Sequence, residues 1–339
     1  MEAMVEVWDL TKYYGTYIGI EGVSFSIARG EVVGFLGPNG AGKTTTMRIL
    51  TCSMPATRGE ARVAGFDVLR DSLQVRRRVG YLPETPPLYS EMTVEGYLRF
   101  VGTIKGVRGR RLRERLEYVL EACDIAHMRR RIVGHLSKGY RQRVGIAQAL
   151  IHDPEVMIFD EPTSGLDPGQ IIEIRQLIRE LGRERTVILS THILAEAQAT
   201  CRRLLIINQG SLVGDVHLDE GGQVLRIQTP DGRQVGYGDR RRVALLARGV
   251  DAASIARFGE ALGLCLEEAQ PERDGLRAVL SAPAERDPRP ALVQKLVAEG
   301  GELLELRELR PTVEEVFLSL TQPSAPTSTT SETLRPCET

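Results

Sequence analysis

An apolar run, EVVGFL (31–36), passes without a break into GPNGAGKTT (37–45), and that junction limits the folds open to the chain. Glycine in such density weakens regular structure, because each one loses more conformational freedom on ordering than any other residue. Placing Gly37, Gly40 and Gly42 together therefore serves the backbone itself, whose N–H groups can turn inward unobstructed by side chains. Gly37, Gly42, Lys43 and Thr44 satisfy G-x-x-x-x-G-K-[ST] between a strand and a predicted helix over 44–52, the context of a phosphate-binding loop. The helix adds the positive end of its dipole. In such a loop Lys43 reaches the β- and γ-phosphates, and the Thr44 hydroxyl binds Mg²⁺.

Two further runs, VMIFD (156–160) and TVILST (186–191), are apolar without alternation. Strands buried on both faces read this way, and they belong to parallel sheets covered by helices. Between them, residues 169–182 predict a crossover helix with an apolar face of Ile172, Ile174, Leu177, Ile178 and Leu181. Alternating strand and helix argue for an α/β core. Short alternating segments within 1–35, VEVWDL and VSFSI, predict a small antiparallel sheet. Residues 90–131 turn helical and strongly basic, with Leu112, Leu116, Val119 and Leu120 on one face and arginines on the solvated one.

At 339 residues the chain has room for about two domains. Glycines cluster and the pattern lapses over 208–222, which predicts one domain over 1–221, its helical part at about 90–150, and a second over 222–321. The second mixes strand-like QVLRIQT, LRAVLSA and ELLELREL with helix-like ALVQKLVAEG and TVEEVFLSL, a small α+β composition. The Pro/Ser/Thr-rich residues 322–339 are predicted to be a disordered tail. A net charge of -1 gives no pull toward nucleic acid, and none is expected as a partner. No apolar run approaches the ~20 residues that span a bilayer, and the acidic start MEAMVEVWDL does not read as a signal peptide. The five scattered cysteines form no C-x-x-C pair, which fits a reducing cytoplasm.

The carboxylates at the end of VMIFDE have separate uses beside a phosphate loop. Asp160 can hold Mg²⁺ through water, and Glu161 can take a proton from the attacking water. Ser137 in LSKGY (136–140) opens a helix, where it either serves as N-cap alone or, with Gly139, helps the helix end bind an anion. Its position about twenty residues before Asp160 favours the second reading. His192 follows the TVILST strand, whose end points it toward the phosphate loop and within reach of a γ-phosphate.

Together these segments resemble the nucleotide-binding subunits of ABC transporters, over roughly residues 4–218. GPNGAGKTT looks like the Walker A loop, so Gly37, Pro38, Asn39, Gly40, Ala41, Gly42, Lys43, Thr44 and Thr45 would surround ATP. MIFDE looks like Walker B, SGLD with Asp167 like the D-loop, and STH ending at His192 like the H-switch. The resemblance implies a P-loop NTPase (RecA-like) core with an antiparallel β subdomain and a helical subdomain, plus the small α+β C-terminal domain. It places Tyr14 against adenine, with Tyr13 the less favoured neighbour. Two positions depart from the family pattern. LSKGY stands where LSGGQ is usual, and Glu84 in VGYLPE replaces the Q-loop glutamine as a Mg²⁺ ligand. Both departures, and the terminal LRPTVEEVFLSLT, are similar to exporter subunits of the gliding-motility type.

What the resemblance implies is an ATPase completed by a second copy packed head to tail, with Ser137 and Gly139 of one copy capping the γ-phosphate held by Lys43 of the other. Its partner would be a separately encoded membrane permease on the inner face of the cell membrane, received near residues 84–110, with Leu88 and Tyr89 as contacts. A soluble ABC ATPase acting on DNA or ribosomes would carry two cassettes or a long coiled coil, and a nucleotide sensor would lack Glu161.

Overall fold

The computed structural model describes residues 2–229, 240–283, 287–309 and 311–321. The proposed tail at 322–339 lies outside them. The chain divides into two compact units, the first comprising residues 2–222 and the second most of the remainder.

The first unit opens with β1 (Ala3–Tyr14) and β2 (Tyr17–Ala28), which join β4 (Arg58–Val63) and β5 (Phe66–Asp67) in an antiparallel sheet of order β2-β1-β4-β5. Between them in sequence lie β3 (Val32–Leu36) and α1 (Lys43–Leu50). Then come α2 (Ser72–Arg78), β6 (Val79–Leu82), α3 (Val94–Ile104), α4 (Gly109–Ala122) and α5 (Lys138–Leu150). The unit continues through β7 (Val156–Asp160), α6 (Pro168–Gly182), β8 (Thr186–Thr191), α7 (Leu194–Thr200), β9 (Arg203–Asn208) and β10 (Ser211–Leu218). Within this unit the strands of a second sheet run β10-β9-β3-β8-β7-β6, parallel except for the β9–β10 pair. Every residue of β7 and β8 is buried, as their unbroken apolar runs require.

Register aligns the carboxyl ends of these strands: Leu36 pairs with Thr191, Asp160 with Ser190, and Leu82 with Phe159. The loops after β3, β6, β7 and β8 thus leave one edge of the sheet, where open α/β sheets bind ligands.

Two expectations need correction. Ile172 is 59% exposed, while Ile174, Leu177, Ile178 and Leu181 are buried. A separation of two residues turns a helix by about 200°, which carries Ile172 off the stripe. The stretch 208–222 is no lapse either. It contains β10, whose Leu212, Gly214, Val216 and Leu218 alternate inward. Leu112, Leu116, Val119 and Leu120 of α4 are all buried.

In the second unit, β12 (Arg240–Arg248), α8 (Ala252–Leu262), β13 (Cys265–Glu272), β14 (Gly275–Pro283), α9 (Arg289–Ala298) and β15 (Glu302–Leu309) follow β11 (Val224–Gln228), and α10 (Val313–Thr321) ends the described chain. The antiparallel order β13-β14-β12-β15 is the ferredoxin-like split βαβ arrangement. Leu245, Ile255, Phe258, Leu280, Leu292 and Leu296 form its core, with both helices on one face.

Candidate active site

The phosphate-type loop is held open by its glycines. At Gly42, φ is 106°, and a Cβ there would stand 2.5 Å from Ile20 Cγ2 and 2.7 Å from the Gly19 carbonyl oxygen. At Gly37 an added Cβ would lie 2.2 Å from the Ile207 carbonyl oxygen. Neither position has room for another residue. Ala41 is buried and donates its N–H to the Pro38 carbonyl at 3.2 Å, which closes the loop before α1.

Lys43 is only 6% exposed. Its ammonium donates to the carbonyls of Gly37 (2.8 Å) and Pro38 (3.1 Å) and lies 3.4 Å from Glu161 Oε1. The other oxygen of Glu161 is 2.9 Å from His192 Nδ1. Thr44 donates to Asp160 Oδ1 at 3.2 Å, and the Ser190 hydroxyl donates to the same oxygen. Glu161 adopts φ 49°, costly for a residue with a Cβ. Its N–H is fixed by the Ser190 carbonyl (3.1 Å) and hydroxyl (3.2 Å). Burial first, and the Asp160 carboxylate second, push the Tyr81 phenol up to about 12.

Lys43, Thr44, Glu161 and His192 border a cavity of about 450 Å³ lined also by Asn39, Gly40, Gly42, Thr45, Glu84 and Ser164, whereas Asp160, 1% exposed, touches Thr44 without lining it. Thr44 and Glu84 on the lining, with Asp160 behind Thr44, offer oxygen atoms only, a hard-donor chemistry that suits Mg²⁺.

Not every residue singled out in the sequence reaches this cavity. Tyr14 turns its hydroxyl to Met54 Sδ (3.0 Å) and Thr45 Oγ1 (3.4 Å), and Tyr17, 59% exposed, is the aromatic in the lining. Asp167 caps α6 by accepting the Gln170 N–H at 3.0 Å. Ser137 caps α5 by accepting the Tyr140 N–H, and Gly139 packs on the Gln170 side chain. None of these three lines the cavity of its own chain. The unusual Tyr140 is absorbed by His127, 3.1 Å from its hydroxyl. Lys138 lies against Gly165 and shares a neighbouring cavity of about 400 Å³ with Glu84 and Ser164.

Sequence reasoning overlooked Tyr17 and Ser190. For Ser190 a signal existed: a hydroxyl inside a run otherwise fit for complete burial.

Known proteins resemble this chain over the same region. The ABC transporter family model matches residues 20–164. The bacitracin transport ATP-binding protein BcrA of Bacillus licheniformis is 37% identical over 221 residues, 65% of this chain and 71% of that one. The daunorubicin resistance ATP-binding protein DrrA3 of Streptomyces coeruleorubidus is 35% identical over 323 residues, 94% of this chain and 96% of that one. Among solved structures, an ATP-binding subunit of an ABC transporter is similar at TM-score 0.59 and 34% identity, covering 64% of this chain and 91% of that one. A dimeric ATP-binding cassette in a post-hydrolysis state bound to ADP and Pi also matches at TM-score 0.59, with 26% identity, covering 64% of this chain and 99% of that one. The chain belongs to the family of ABC transporter ATP-binding proteins, and its chemistry is ATP hydrolysis. Among the described residues no helix is long and apolar enough to cross a membrane.

Proposed function

We propose that two copies of this chain close head to tail on two ATP molecules and reopen after hydrolysis, driving a separately encoded permease that exports its cargo. The observation that carries the reading is the nearly buried Lys43, held between loop carbonyls and Glu161 in a cavity that its own Ser137 and Gly139 do not line. A phosphate cage lacking those two groups is completed by another copy. Glycine N–H groups of the loop and Lys43 bind the β- and γ-phosphates. Thr44, Asp160 and Glu84 hold Mg²⁺, which neutralises phosphate charge when bound. Glu161 accepts the proton of the attacking water through the oxygen nearer Lys43, while His192 steadies the other oxygen. Tyr17, on the cavity lining, borders the adenine end, with Tyr14 paired to it across the β1–β2 turn. ATP favours the closed pair because it touches both copies, and loss of the γ-phosphate removes that differential affinity.

Export is supported by the relatives' names, a bacitracin transport protein and a daunorubicin resistance protein. Half-exposed Tyr89, packed at 5.5 Å on the Phe100 ring, offers with Leu88 an apolar patch for the permease. Glu161→Gln is expected to keep ATP binding, to accumulate an ATP-bound dimer on gel filtration, and to lower turnover by roughly 10²–10³. Wild-type turnover in that variant would remove Glu161 from its role. Lys43→Ala is expected to abolish binding or turnover, and wild-type affinity and rate would refute the loop assignment.

A further inference from the structure

Glu196 sits in α7 outside the cavity, 5% exposed, and makes no ion pair among the described residues. A carboxylate withdrawn from water without a cationic partner is unfavourable unless hydrogen bonds compensate. Here one oxygen, Oε2, accepts two: from Thr163 Oγ1 at 2.6 Å and from Thr191 Oγ1 at 3.2 Å. Thr163 stands two residues after Glu161, and Thr191 immediately precedes His192. The Thr191 hydroxyl also accepts the Ile193 N–H at 3.0 Å, so it bridges the backbone on both sides of His192.

We propose that Glu196 is a positioning residue for hydrolysis: its carboxylate ties the segment after Glu161 to the turn carrying His192 and so sets the Glu161–His192 contact. This role rests on Glu161 acting as the base. An apolar residue of similar volume would satisfy packing at this place without the cost of a buried charge. What it could not do is hold two hydroxyls from two different loops at one atom. Thr163 also begins the turn that leads through Ser164 into SGLD, so the same oxygen links the base, the histidine and the D-loop.

The test uses the full chain with Mg-ATP and compares Glu196→Gln, Glu196→Leu and Thr163→Val. Glutamine keeps an oxygen that can accept both hydroxyls, so it is expected to retain turnover within about threefold. Leucine removes the acceptor and is expected to lower kcat about tenfold or more, with KM for ATP and nucleotide affinity within about threefold. Thr163→Val, which preserves shape and removes one hydroxyl, is expected to lower kcat in the same direction and to add nothing to Glu196→Leu. Wild-type kcat in both Glu196→Leu and Thr163→Val would overturn the proposal, even were the leucine variant to fold poorly. A parallel fall of ATP affinity and thermal midpoint accounting for the lost rate would overturn it too, leaving a structural role only. A wild-type chain without ATPase activity would instead defeat the underlying assignment, a result that this comparison keeps separate.

Discussion

At the scale of single residues the site is built from bonds that fix charges before nucleotide arrives. Both oxygens of Glu161 are engaged, one by Lys43 and one by His192, so incoming phosphate must draw Lys43 away from the base it faces. Ser190 has no place in the P-loop motif, yet it donates to Asp160 and receives the N–H of Glu161. Ser190→Ala leaves a buried carboxylate with one fewer donor, a change that costs about 1–3 kcal/mol. The expected outcome is reduced turnover and a higher Mg²⁺ concentration for half-maximal rate; an unchanged Mg²⁺ titration would show that Asp160 needs no help from Ser190. Gly42→Ala is harsher, because the added Cβ meets Ile20 and the Gly19 carbonyl at a φ that alanine avoids. It should abolish ATP binding, measured by fluorescent nucleotide titration, and wild-type affinity would contradict the packing described.

At the scale of elements, the parts legible in sequence are those whose burial leaves a period. The strands β7 and β8 emerge with the expected bounds because burial of every residue leaves an unbroken apolar stretch along each, with polar residues only toward the ends. The stripe of α4 is equally plain, and Leu116 is 1% exposed within it. Leu116→Ala should cost about 2–5 kcal/mol, read as a lower urea midpoint with the slope unchanged. A loss under 1 kcal/mol would mean that the helical region repacks freely. The strand β10 was not legible, since Gly210, Gly214 and the flanking acids mask an alternation that needs only one covered face. The same limit explains the site. Lys43, Thr44, Asp160, Glu161 and His192 carry local motifs, whereas Glu196 acquires its contacts only when α7 returns past the ends of β7 and β8. Tyr14 and Tyr17 illustrate the reverse case: a strand turn, not sequence pattern, decides which ring borders the cavity.

At the scale of the whole molecule, the two units carry separate cores, and stability of the first depends on more than apolar contact. His152 is 8% exposed, donates Nε2–H to the Val79 carbonyl at 3.0 Å, and leaves Nδ1 without a partner among the described residues. Burial first, and the Lys105 ammonium second, push its imidazole down to about 4 from the usual 6.5. The Val79 bond and Asp153 oppose that shift, and Arg115 adds to it. Above pH 6.5 the ring is neutral in folded and unfolded chains alike, so the fold keeps its full margin. As pH falls from 6.5 toward 4, the unfolded chain takes up a proton that the folded chain refuses, and stability declines by about 3 kcal/mol in total. Below about 4 this group contributes no further loss. Urea unfolding at pH 7.5, 6 and 4.5 should therefore reveal a decline that His152→Gln, which can still donate to Val79 but cannot titrate, makes shallower. Parallel declines in the two proteins would assign the acid sensitivity to other groups. The site adds an independent reason for the ring to stay neutral: Val79 begins β6, the strand that delivers Glu84 to the cavity. Because the folded ring takes up a proton only near pH 4, the root of that strand stays uncharged through the window in which stability already declines.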